Sequence, residues 1–110
     1  MPLYEKARIE VYLPDVDRLA YPVFLAELEQ EFTYAFGGAT LIRGMEGHFL
    51  SRVGVVTPDR VNLLYTDAPF GFATDFDLLS EYADELREAA MRTLNEEAIL
   101  IVVYPVHHSG

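Results

Sequence analysis

Apolar and polar residues alternate from Ala7 to Leu13, with Ile9, Val11 and Leu13 on one side and Arg8, Glu10 and Tyr12 on the other. A period of two is that of a half-buried strand. From Val23 to Phe36 the period changes. Phe24, Leu25, Leu28, Phe32, Ala35 and Phe36 fall on one stripe of a helix, and Glu27, Gln30, Glu31 and Tyr34 lie largely off it. Pro22 suits the start of that helix, where its missing N–H costs nothing. Gly37 and Gly38 end it, because glycine readily takes the left-handed conformation of a C-cap. A second helix is predicted from a cap at Asp75 to about Asn95. Its buried stripe is Phe76, Leu79, Ala83, Leu86, Ala90 and Leu94, and its wet face carries Glu81, Asp84, Glu85, Arg87, Glu88 and Arg92. "RVNLLYT" before this helix and "AILIVVY" after it read as two more strands.

The stretch "GGATLIRGMEGHFLS", Gly37 to Ser51, fits none of these patterns directly. If every even position from Ala39 to Leu50 faced the core, Glu46 and His48 would be buried; if every odd one did, Arg43 would be. One extra residue near Gly44 removes the conflict. A β-bulge there predicts Thr40 and Ile42 inward before it and Met45, Gly47 and Phe49 inward after it, with Arg43, Glu46 and His48 on the opposite face. A phosphate-binding loop does not fit. The stretch matches neither GxGxxG nor GxxxxGK[ST], and it follows a helix where such loops precede one.

The order is therefore strand, helix, bulged strand, strand, helix, strand. This predicts an α+β fold, the ferredoxin-like βαββαβ arrangement. It is one domain over residues 1–110: a four-stranded antiparallel sheet, order 4-1-3-2, with both helices on one face.

Such a sheet has a second face, and its composition bears on function. On the last strand Leu100, Val102 and Tyr104 alternate with Ile99, Ile101 and Val103, so both sides are apolar. A solvated face alternates apolar with polar. Leu64, Leu100, Val102 and Tyr104 are therefore read as candidates for an oligomer interface, because an uncovered patch of this kind invites association. Two such sheets face to face would enclose a cavity that His48, Glu46 and Tyr12 could line. A histidine beside a carboxylate is a possible general base, which makes these three the candidate catalytic residues. The blander reading of His48 is a surface histidine paired with Glu46 or with a second subunit.

Other clusters point less far. Asp15, Asp17 and Asp67 could gather around a hard cation, but "DVD" lacks the glycine turn and closing glutamate of a calcium loop, and they read as solvated loop acids. His107 and His108 read as a frayed tail. Phe70 and Phe72 flank Gly71 in a loop and are expected to tuck over the core edge.

Composition narrows the function classes. The chain of 110 residues is 51% hydrophobic, with seven Tyr and seven Phe, so it has the means to build a core. It has no cysteine, which excludes disulfides and thiol chemistry. Its 18 acidic against 8 basic residues give a net charge of −10, which repels nucleic-acid backbones and anionic membranes. The amino terminus lacks a signal-peptide pattern, and "AILIVVYPV" falls short of the roughly 20 residues of a spanning helix, so a cytoplasmic location is expected.

"RIEVYL", "GGATLIRGMEG" and "AILIVVY" together resemble a family of small uncharacterised bacterial proteins with the ferredoxin-like fold, over about Arg8 to Tyr104. The resemblance implies that fold and carries over no catalytic residues. The leading functional reading is a small non-enzymatic, self-associating domain with a regulatory or ligand-binding role. It expects a homo-oligomer, a small-molecule ligand as a further partner, and neither cofactor nor metal. The alternative is a small cofactor-free enzyme of the dimeric α+β barrel type, with its pocket on the open face.

Overall fold

The computed structural model of the chain describes residues 2–50 and 52–109, the side chain of residue 49 excepted. The elements are β1 (Leu3–Pro14), α1 (Ala20–Phe36), β2 (Thr40–Leu50), β3 (Val56–Ala68), α2 (Phe76–Leu94) and β4 (Leu100–Ser109). They form one four-stranded sheet in the order β2-β3-β1-β4, with every neighbouring pair antiparallel. This is the predicted ferredoxin-like βαββαβ topology.

The core lies between the sheet and the two helices. Ile9, Val11 and Leu13 of β1 and Leu64 and Ala68 of β3 meet Leu25, Leu28 and Phe32 of α1 and Leu86, Ala90 and Leu94 of α2. The helix stripes thus fall much as the 3.6-residue period requires, although Ala35 and Phe76 stand exposed. Helix α1 ends where expected: Gly37 takes φ +94° and donates its N–H to the Thr33 carbonyl at 2.9 Å. Helix α2 ends at Asn95, also left-handed at φ 54°. Asp75 occupies the cap position of α2, but its carboxylate accepts from the Gly71 N–H rather than from the first helical turn.

Register decides which face each strand residue takes. Val11 lies opposite Leu64, so Leu64 points at the helices with it and is 0% exposed. Leu64 is therefore a core residue, not an interface residue. The open side of β3 belongs to Leu63, Tyr65 and Asp67, while Asn62 and Thr66 are buried on the helix side with Leu64.

The bulge lies where it was predicted. Ile42 pairs with Leu63 and Met45 with Val61, so the interval on β2 is one residue longer than on β3. Gly44, at φ +68°, donates its N–H to Asn62 Oδ1 at 3.0 Å. The phases on either side of it are the reverse of those predicted. Leu41, opposite Leu64, packs against the core, whereas Thr40 and Ile42 lie opposite Tyr65 and Leu63 on the open face. Beyond the bulge, Met45 and Gly47 follow the open face, and Glu46 and His48 take the other alternation, opposite Arg60 and Pro58. The side chain of Phe49, predicted inward, lies outside the described residues.

Three strands run further than their alternation indicated. The start of β1 pairs with the end of β4, Tyr4 with His108 and Glu5 with His107. The two histidines are thus strand residues, not a frayed tail. At the other end β1 stops at Pro14, opposite Val61, and the hairpin of β2 and β3 continues past it to the Leu50–Val56 pair. Phe70 tucks against the core edge, its ring 6.4 Å from that of Phe36 in an edge-on contact.

Candidate functional site

The open face is assembled by three cross-strand registers. Strand β1 contributes Arg8, Glu10 and Tyr12; β3 contributes Leu63, Tyr65 and Asp67; β4 contributes Leu100, Val102, Tyr104 and His108. Arg8 lies directly opposite Asp67 on one side and Tyr104 on the other, so the pairing brings charged and aromatic side chains into reach along the middle of the sheet.

Two hydrogen-bonded groups result. Arg8 grips Asp67 with two bonds, Nε to Oδ1 at 2.7 Å and Nη2 to Oδ2 at 2.9 Å. Its guanidinium lies 4.3 Å from the centre of the Tyr65 ring, a cation–π contact. His108 Nε2 stands 2.7 Å from Asp67 Oδ2. In the second group Glu10 accepts from two phenols, Tyr12 at 2.9 Å and Tyr104 at 2.6 Å.

These contacts set the charge states. The Arg8 bond, opposed by burial, holds the Asp67 carboxyl below its ordinary value, and the bond to Asp67 raises Arg8 in turn. The hydrogen bond to Glu10 and, behind it, partial burial raise the Tyr12 and Tyr104 phenols, since losing either proton would set an anion beside the carboxylate. In the centre of the face the Arg8 cation is thus paired with Asp67, while both Glu10 oxygens accept phenols and the carboxylate keeps its charge.

Apolar side chains flank this centre. On β4, Leu100 is 57% exposed and Val102 and Tyr104 are half-buried; on β2, Ile42 is exposed. Leu63 is buried without belonging to the core under the helices. Leu100, Val102 and Tyr104 thus stand on the expected face, and Leu64 does not.

The three proposed catalytic residues are only partly brought together. Tyr12 and His48 border one hollow of about 340 Å³, with Gly47, Asp59, Val61 and Leu100 around them. Glu46 is not part of its lining. The Tyr12 hydroxyl is already committed to Glu10, and His48 is exposed on the hairpin. Asp15 and Asp17 follow one end of β1, whereas Asp67 lies opposite Arg8 further along the strand, so the three acids do not gather. Among the described residues no group of three or more histidine or carboxylate side chains is placed to hold a metal ion.

Sequence reasoning missed Asp67 and His108 as members of the face. Asp67 shares the phase of Leu63 and Tyr65, but the phase read from Leu64 would have turned it toward the helices, and only the pairing with Arg8 places it on the open face. His108 carries no local signal, because only its pairing opposite Tyr4 brings it to Asp67.

Comparison with known proteins adds the fold and nothing finer. No family model matches the chain, and no curated protein matches it. Among solved structures it is similar to the crystal structure of CutA1 from Oryza sativa, with a TM-score of 0.61 and 14% sequence identity over 98% of this chain and 85% of that one. At that identity the likeness is one of fold. Among the described residues no helix is long and apolar enough to cross a membrane.

Proposed function

We propose that the chain is a non-enzymatic, self-associating domain with a regulatory or ligand-binding role, whose open face is covered by a second copy of itself. The observation that carries this reading is the unequal distribution of charge between the two sides of the sheet. On the helix side, α1 carries Glu27, Glu29 and Glu31 and no base, and α2 carries five acids against two arginines. Two copies with net charge −10 repel each other wherever those surfaces meet. The open face instead sets Arg8 on Asp67, holds Glu10 between two phenols and exposes apolar side chains beside them, so a second copy meets far less unpaired negative charge there than on the helix side. The exposed Leu50, Val53 and Val56 on the protruding hairpin add apolar surface at the same end as Leu100.

The test is the mass in solution. Light scattering at roughly tens of micromolar should return a multiple of the 12.5 kDa chain mass, and a monomer at that concentration contradicts the reading.

A second reading, the small cofactor-free enzyme, draws on the hollow shared by Tyr12 and His48. It requires the second copy to seal that hollow into an enclosed pocket. A crystal structure of the oligomer with the hollow open to solvent removes it and leaves association standing.

A further inference from the structure

On the other side of the sheet, a cleft of about 420 Å³ lies between the connection from β1 to α1 and the bulge of β2. It is of the size that takes a small molecule. Leu13, Val16, Tyr21 and Leu25 give it an apolar wall, and Arg43, Arg60, Asn62, Asp15 and Asp17 line the rest.

Asn62 is the informative residue. It is only 6% exposed, and its Oδ1 accepts from the Gly44 N–H at 3.0 Å. An N–H donor requires the oxygen, so this bond fixes the orientation of the amide. Its Nδ2 donates no hydrogen bond among the described residues, and no fully buried side-chain nitrogen or oxygen there lacks a partner. The Nδ2 group therefore keeps its access on the side of the cleft that Asn62 lines.

The charged groups around it are also uncommitted. The bulge sets Arg43 beside Gly44, and together they face the single residue Asn62, which turns Arg43 to the helix side. Neither Arg43 nor Asp17 makes a hydrogen bond or ion pair among the described residues, and Arg60 and Asp15 hold each other only at 4.0 Å. The cleft thus offers cationic and amide donors, carboxylate acceptors and an apolar wall in one place. A simple anion would gain from Arg43 and Asn62 but meet Asp15 and Asp17, and a simple cation would meet the arginines. A ligand carrying both charges on an apolar body suits the whole lining.

We propose that this cleft binds a small zwitterion, a free α-amino acid with an aliphatic side chain. Its carboxylate pairs with Arg43 and the Asn62 Nδ2, its ammonium with Asp17, and its side chain lies against Leu13, Val16, Tyr21 and Leu25. The site is separate from the open face and does not depend on self-association.

Calorimetric titration of the full chain with L-leucine, 4-methylpentanoate (the same skeleton without the amine) and 3-methylbutylamine (without the carboxylate) tests it. Leucine should bind at least about tenfold more tightly than either half-ligand. Arg43→Gln should weaken leucine by about tenfold or more, and Asp17→Asn should bring leucine down to the level of 4-methylpentanoate without weakening the latter. Both residues are exposed, and circular dichroism establishes that the variants fold. The Asn62 side-chain amide resonances should move on adding leucine. Three results overturn the proposal: no binding of leucine at about 10 mM, 4-methylpentanoate binding as tightly as leucine, or Arg43→Gln binding leucine like the wild type. Light scattering on the same samples keeps the outcome distinct from that of the self-association reading.

Discussion

The two faces of this sheet are built from the same strands by the same alternation, yet they handle polar groups differently. On the helix-covered face the two buried polar residues are tied to the backbone: Asn62 accepts from Gly44, and Thr66 donates to the Gly38 carbonyl at 2.6 Å. No charge is admitted to the core cluster there. On the open face charged groups find side-chain partners, Arg8 with Asp67 and Glu10 with Tyr104 across strands and Glu10 with Tyr12 along β1. The difference separates a surface covered by the helices from one that carries hydrogen-bonded charges beside exposed apolar side chains. A buried charge is tolerated when it is paired and hydrogen-bonded beforehand. On the open face the Arg8–Asp67 pair meets that condition, whereas Glu10 is hydrogen-bonded but pairs with no cation among the described residues.

Truncation should expose the contrast most strongly. Leu64→Ala leaves a cavity in the core under the helices and should cost about 2–5 kcal/mol in chemical denaturation. Leu100→Ala, at the exposed edge of the other face, should fall within about 0.5 kcal/mol in dilute monomer. Equal losses would mean that the faces are not distinguished by burial.

The next effect concerns Asp67. Breaking its two-bond pair with Arg8 by Asp67→Asn should cost about 1–3 kcal/mol. Because the folded carboxyl titrates below its ordinary value of 3.8, its contribution is present in full above that value. It is lost as the pH falls through the depressed folded value. The wild type should therefore lose stability in acid more steeply than Asp67→Asn, and parallel acid profiles would remove the open-face network from the stability account.

Gly44→Ala probes the bulge that sets the phase of β2. At φ +68°, with the new Cβ only 3.0 Å from Arg60 Nη2, it should cost about 1 kcal/mol, which thermal denaturation reads directly. A neutral or stabilising substitution would mean that the bulge is not held in this conformation.

The smallest change is spectroscopic. Glu10→Gln removes the carboxylate that raises the Tyr12 and Tyr104 phenols, so tyrosinate absorbance should rise at lower pH in the variant. For a raised group the stabilisation is complete below the ordinary value and is lost as the pH rises through the folded one. Unchanged alkaline titration would show that Glu10 does not hold the phenols.

Much of the frame was legible in the chain. β1, α1 and α2 follow from periodicity, and the conflict between Arg43 and the pair Glu46 and His48 located the bulge. The phase around it was not legible, because a bulge breaks the parity that pattern reading relies on. Leu64 failed for a different reason: alternation in "RVNLLYT" makes Val61, Leu63 and Tyr65 the apolar phase, yet the Val11 pairing turns Leu64 toward the helices together with Asn62 and Thr66. At the candidate site, the open-face position of Tyr12 follows from the alternation of β1, and pairing with β1 puts Leu100, Val102 and Tyr104 on the same face. Asp67 with His108 required contacts between distant strands, which local pattern does not encode.

Self-association through the open face is tested most directly by comparing the wild type with Val102→Glu in light scattering at roughly tens of micromolar. Val102 lies opposite Glu10 on that face, so a covering copy would desolvate the new carboxylate without a partner, at a cost of several kcal/mol. The wild type should show a multiple of 12.5 kDa and the variant a monomer that circular dichroism shows to be folded, with an unfolding midpoint lowered by the repulsion from Glu10. A wild type that is already monomeric, or a variant that keeps the wild-type mass, would contradict the account.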